Sequence, residues 1–224
     1  MSWPKDHKSR THARIVQAAA AAFRARGIAG VGVEDVMARA GLTHGGFYAH
    51  FASKDDLLRE SVDHANGETM EWLSKPLAAL EDRARFRAVI EAYLSPLHAA
   101  HPERGCPLAT LGPEIARTGG ATQRHLAAAV RNRVDWMHQL LPEGGQEGVS
   151  DDQLIAALAC MVGGVILART VGGKSSTMVL DACREFMDRA LGTAAESGGT
   201  SRRAARGKRT RRKRPGRPVR NRLP

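Results

Sequence analysis

The chain has 224 residues, 42% of them hydrophobic and 25% charged, with a formal net charge of +11 at pH 7. That apolar content excludes a wholly disordered chain, and the length suffices for a small module plus a larger core. The charge is local: 12 of the 34 Lys and Arg fall in Ser201–Pro224, which contains no acid, leaving 22 basic against 23 acidic residues before it. Three cysteines without paired spacing exclude a disulfide scaffold and point to a reducing cytoplasm.

Taken from the start, Lys5, His7, Lys8, Arg10, His12 and Arg14 form a basic arm. It is suited to lie along phosphates or in a minor groove, the alternative being a solvated, frayed terminus. Lys8, Arg10 and Arg14 are its candidate backbone contacts. The apolar run of a secretory leader is absent. Ile15, Val16, Ala19, Ala22 and Phe23 then recur at helical spacing, and Gly27 is the expected stop of a first helix.

Val33, Val36, Met37 and Ala40 share one face of a short second helix that Gly41 should end. Thr43 is a suitable N-cap for a third segment, about His44 to His50, which buries Phe47 and leaves His44, Gly45, Tyr48 and His50 outward. Two helices joined by a short glycine turn define a helix-turn-helix, whose second helix enters the major groove of DNA. Gly45 and Gly46 each cost about 1 kcal/mol inside a helix, and close approach of backbone to DNA would offset that cost. Ser53 should cap a further helix whose first turn carries Asp55 and Asp56 beside Lys54.

Gly27, Val33–Val36, Ala40-Gly41-Leu42-Thr43, Gly45, Phe47-Tyr48, His50-Phe51 and Ser53-Lys54 together resemble the TetR family of bacterial repressors. The resemblance covers about the first 66 residues. It implies an all-α homodimer with a three-helix DNA-binding domain and a larger C-terminal helical domain for ligand binding and dimerisation. It also implies DNA contacts from Thr43, His44, Gly45, Tyr48, His50 and Lys54, and release of DNA on binding of a small effector. Three residues depart from the pattern: Gly32 replaces a Thr or Ser helix cap, His44 replaces a common Lys, and Gly46 adds flexibility. The domain limits read from the sequence are 8–68 for DNA binding (helix-turn-helix about 31–50), 69–192 for the C-terminal domain and 193–224 for a disordered basic tail.

Beyond residue 68 the apolar spacing is helical throughout, with helices expected at about 54–73, 84–99, 108–117, 121–141, 151–170 and 176–191. Phe86, Tyr93, Leu97, Leu111, Trp136, Met137 and Met161 could line an effector cavity or serve as plain core; few charges lie among them, which favours an apolar or aromatic effector. Cys106, beside Arg104 at an expected helix start, is a candidate redox-sensing thiol, whereas Cys160 and Cys183 read as small core residues. His98 and His101 have a spacing compatible with a metal, yet no Cys or acid accompanies them, so solvated histidines and no metal are expected. Leu154 to Ala168 is apolar on all sides, opened by Ser150 and Gln153 as a capping box. Fifteen residues fall short of a membrane span, so the surface should face protein. The expected dimer seam comprises Leu154, Leu158, Met161, Gly163, Gly164, Leu180, Cys183, Phe186 and Met187, with a monomer's own central helix as the alternative.

The tail holds Arg214 and Arg217 around a Gly-Arg-Pro segment resembling an AT-hook core, and otherwise offers sequence-independent phosphate affinity. No phosphate loop, nucleophile elbow, zinc helix or dinucleotide fingerprint occurs, so neither a catalytic residue nor a cofactor is expected. The reading is a cytoplasmic, homodimeric, ligand-responsive regulator that binds a double-stranded DNA operator and not a membrane. Two alternatives stay open: an architectural DNA-binding protein dominated by its tail, and an effector-binding protein without operator recognition.

Overall fold

A computed structural model describes residues 5–141 and 148–197. The described residues are helical with no strand: α1 (Lys5–Arg26), α2 (Val33–Arg39), a 3-10 segment (His44–Ala49), α3 (Lys54–Ser74), α4 (Asp82–Tyr93), α5 (Pro96–Ala100), α6 (Pro107–Thr118), α7 (Gly120–Gln139), α8 (Asp151–Val171) and α9 (Gly173–Ser197). Arg214 and Arg217, with the rest of the basic tail, lie outside the described residues.

Two apolar clusters organise the chain. In the first, Ile15, Ala19 and Phe23 of α1 meet Val36 and Met37 of α2, Phe47 and Phe51, and Leu57, Leu58 and Val62 of α3. In the second, Tyr93, Leu94, Met137, Leu154, Leu158, Met161, Val165, Leu180 and Met187 pack from α4, α7, α8 and α9. Because α3 is one helix of 21 residues, about 31 Å long, its first turns belong to the first cluster and Leu73 near its end to the second.

Local signals decide the helix ends. Gly27 (φ +77) and Gly41 (φ +68) take the left-handed conformation that stops α1 and α2. Ser53 Oγ accepts from Asp56 N at 3.1 Å, and Ser150 and Gln153 form both halves of their capping box. Gly32 has no side chain to offer α2, but Asp35 reaches back to the Gly32 amide at 3.4 Å. The region expected as one helix over 84–99 is divided at Leu94–Ser95, where Ser95 Oγ caps a new helix begun by Pro96. Helix α9 continues to Ser197, beyond the expected boundary at residue 192.

The basic arm is corrected. Lys5 to Arg14 continue α1 as helix, and the Arg14 guanidinium donates to Ala40 O at 2.6 Å, closing the last carbonyls of α2. Arg14 is thus a helix cap within the domain. Lys8 and Arg10 remain exposed.

Candidate nucleic-acid interface and C-terminal cavities

The recognition segment is 3-10 and not α-helical. Gly46 N donates to Thr43 O at 3.1 Å and His50 N to Phe47 O at 2.9 Å, the tighter i to i+3 pattern that a Gly-Gly pair of low helix propensity permits. Phe47 anchors it in the core and packs edge-on against Tyr48 at 5.2 Å. Thr43, His44, Gly45 and Tyr48 consequently face solvent together, with Tyr48 70% exposed and His44 edge-on to its ring at 6.4 Å.

Two details leave this face open to an external molecule. The Thr43 backbone takes the N-cap conformation, yet its hydroxyl makes no cap bond, so it is available to an external acceptor. A Cβ built on Gly45 would meet nothing within 4 Å. The fold therefore does not require glycine there, and a requirement would have to come from a molecule brought against it.

His50 is half-buried beside His12, and burial first, then the charges of His12 and Lys8, hold its pKa below the usual imidazole value. His12 stacks on Phe51 at 4.5 Å and bonds Glu60 at 2.6 Å. Lys54 is turned inward: its Nζ donates to Ile28 O at 2.7 Å and lies 5.9 Å from the centroid of Phe23.

Four bonds of Arg24 and Glu114 brace the joint between this domain and the second one, and no sequence motif announces them. Arg24, almost fully buried on α1, pairs with Glu68 of α3 at 2.5 Å and donates to Gly105 O at 3.1 Å. Glu114 of α6 accepts from Ile28 N at 2.9 Å and Ala29 N at 3.3 Å, in the turn where a Cβ on Gly27 would collide with its carboxylate. The only sequence signal was a charge at position 24 on the apolar stripe of α1.

The expected cavity lining is largely corrected. Phe86, Tyr93, Met137 and Met161 are buried in the second core, Trp136 packs against it, and Leu111 belongs to the first core beneath α1. Of the seven, Leu97, 63% exposed, borders a cavity of about 430 Å³ lined also by Glu68, Trp72, His98, His101 and Arg104. A second cavity, about 320 Å³, lies between α3 and α7 and is bordered by Asp63, Asn66, Gly67, Met70, His125, Ala128, Ala129, Asn132 and Arg133.

His98 is corrected as well: it is buried, not solvated. Its Nδ1–H donates to Tyr93 O at 2.7 Å and its Nε2 accepts from Cys106 N at 3.1 Å, so neither nitrogen is left for a metal. Burial pushes its pKa down to about 4, against the bond to Tyr93. The same geometry withdraws Cys106 as an exposed thiol, because the residue is fully buried and its amide is occupied.

The dimer seam is redrawn. Leu154, Leu158, Met161, Gly164, Leu180 and Met187 lie in the chain's own core, where Gly164 lets Cys183 and Leu94 approach to within contact that a Cβ would block. Half-buried Cys183 packs against that core. Gly163 and Phe186 face outward, joined by Ile155, Leu167, Val171 and Met178. Helix α8 runs one residue past the expected 151–170; at 21 residues it could cross a membrane by length and composition alone, although 39% of its most apolar window is buried within the protein.

The fold and this face define a class: a helix-turn-helix DNA-binding domain mounted on an all-helical second domain. Residues 15–61 match the family described as bacterial regulatory proteins, tetR family. That match places a tetR-family DNA-binding segment at residues 15–61, and the rest of the chain is similar to TetR regulators in fold. It is 35% identical over 71 residues to the HTH-type transcriptional regulator TtgR of Pseudomonas putida, a match covering 32% of this chain and 33% of that protein. The curated relatives it matches are covered over no more than 35% of their length. A TetR transcriptional regulator from Chloroflexus aurantiacus superposes with a TM-score of 0.71 at 26% identity, over 84% of this chain and 96% of the other. AibR, crystallised with isovaleryl coenzyme A and operator DNA, superposes with a TM-score of 0.56 at 18% identity over 79% and 97% of the two chains.

Proposed function

We propose that the protein is a cytoplasmic, homodimeric transcriptional regulator, a repressor, that binds a palindromic operator and is released by a small effector. The observation that carries this reading is the joint presentation of Thr43, His44, Gly45 and Tyr48 on the second segment of a helix-turn-helix anchored by buried Phe47. Thr43 and Tyr48 hydroxyls bind phosphates, His44 reads a base edge, and the bare backbone of Gly45 admits the duplex; half-buried His50 flanks them, while Lys54, held inward by the Ile28 carbonyl, is withdrawn from the expected contacts. Two copies reach half-sites about 34–36 Å apart. The outward apolar row of α8 and α9 joins the copies.

Effector binding need only favour a spacing of the two reading heads that does not fit DNA. A coupling of about 1–3 kcal/mol, typical of allostery, gives about 5- to 150-fold release. AibR, which was crystallised with both a ligand and its operator, has the same overall fold. The test is fluorescence anisotropy with DNA from upstream of the gene and with scrambled DNA, across a salt series, for the full chain and for a form lacking 201–224. A preference for the upstream DNA that survives tail removal is the expected result. Affinity that disappears with the tail would refute sequence reading and leave an architectural protein.

A further inference from the structure

The cavity between α3 and α7 contains a cation with nothing to neutralise it. Arg133 is only 4% exposed, its Nη1 has no hydrogen-bond partner, and among the described residues no acid forms an ion pair with it. Its buried polar neighbours cannot supply a negative charge. Tyr93 stays a neutral phenol because burial raises its pKa well above the usual value, and His98 is neutral or cationic at any pH. Asp63 at the edge of the cavity is held by His125 at 2.6 Å. Independently, both amide atoms of Asn66, on the same cavity, are buried without a partner. An unpaired buried guanidinium and an unsatisfied amide on one cavity are both costly to leave without partners, and a ligand that completes them would offset that cost.

We infer that this cavity binds a small organic monocarboxylate, with Arg133 pairing its carboxylate, the Asn66 amide donating to one oxygen, and Met70, Ala128 and Ala129 lying against its apolar body. One guanidinium matches one carboxylate, and three apolar side chains match an acyl or aryl body better than a bare inorganic anion. The volume of about 320 Å³ holds an acid of modest size. The inference makes the proposed effector chemically specific; it rests on the regulator reading for its effect on DNA, but not for binding itself. Asn66, Gly67 and Met70 lie on the helix whose first turns pack under the recognition segment, so a body wedged against α7 bears directly on the reading head.

The test is calorimetric titration of the full-length protein with sodium benzoate and sodium hexanoate, with benzamide, hexanamide, sodium chloride and inorganic phosphate as comparisons. Expected are saturable binding of at least one acid, amides weaker by about tenfold or more, and a similar loss in Arg133→Met. Asn66→Ala should weaken the acid several-fold, which keeps the test valid if the Arg133 variant misfolds. Unliganded Arg133→Met should melt no lower than the parent, because it removes an unpaired buried charge.

The inference is overturned if neither acid saturates, if amides bind as well as acids, or if both variants bind like the parent. It is equally overturned if chloride or phosphate competes at matching concentration, or if Arg133→Met melts several degrees lower. Acid binding that leaves DNA affinity unchanged supports the site and removes only the release step, whereas lost DNA binding with intact acid binding counts against the regulator reading alone.

Discussion

In the proposed dimer, Phe186→Ser should separate the two copies. The ring is 56% exposed on α9, beside an outward row that includes Ile155 (49%), Leu167 (50%) and Met178 (65%). A phenylalanine of about 200 Å² therefore leaves about 110 Å² in water, which at about 25 cal/mol/Å² is about 2.8 kcal/mol per copy if a partner covers it. A twofold interface counts the residue twice, so the substitution should cost about 5–6 kcal/mol, a rise of about four orders of magnitude in dimer Kd. Sedimentation velocity over a concentration series reads this directly. Thermal unfolding of the same samples separates dissociation from misfolding, since an already exposed ring contributes little to the subunit's own core. A variant that sediments as the parent does at every concentration would refute the assignment of this face.

Three further substitutions probe the reading head, the joint between the domains and the buried histidine. Tyr48→Phe should weaken operator binding by about 1–2 kcal/mol without lowering the melting temperature, read by anisotropy and calorimetry; unchanged affinity would remove the hydroxyl from the contact set. Glu114→Gln should cost about 1–2 kcal/mol in urea unfolding through weaker acceptance from Ile28 and Ala29, and should reduce effector coupling more than DNA affinity. For His98, a folded pKa of about 4 against 6.5 means that the unfolded chain takes up a proton that the folded chain refuses. Stability is then full above pH 6.5, falls as pH drops towards 4 by at most about 3 kcal/mol, and levels off below; His98→Gln should lack this component of the slope.

Sequence alone made the local decisions legible. Gly27, Gly41, Ser53 and the Ser150–Gln153 box each act through one or two backbone bonds, and all do what their residue types demand. The burial of Phe47 and the exposure of His44 and Tyr48 followed from helical spacing in a segment of mixed polarity. Helix α8 shows where that method stops. A helix apolar on every side has no informative period, so nothing in LIAALACMVGGVILA distinguishes inward Leu154, Leu158 and Met161 from outward Ile155 and Leu167. Charge was a poor guide for a related reason: Arg14 and Lys54 were expected at DNA and no role was expected for Arg24 or Arg133, whereas long side chains carry their charged ends to carbonyls or carboxylates far along the chain, or into a cavity.

The joint between the domains limits how an effector can act. Arg24 joins α1 to α3 and to the Gly105 carbonyl, Glu114 joins α6 to the turn after α1, and Leu111 and Ile115 of α6 lie in the apolar core of the DNA-binding domain. A reading head held by buried apolar contact and charge-assisted bonds does not swing freely as its neighbour changes shape, because close-packed contacts resist gradual deformation. Motion must enter through elements that reach both cores, and α3 and α6 both do so. Of these, α3 has a cavity along its middle that leaves polar atoms of Asn66 and Arg133 unsatisfied. Filling that cavity would change the energy of the unliganded arrangement at the point where α3 passes from one core to the other, which is the differential interaction that a population shift requires.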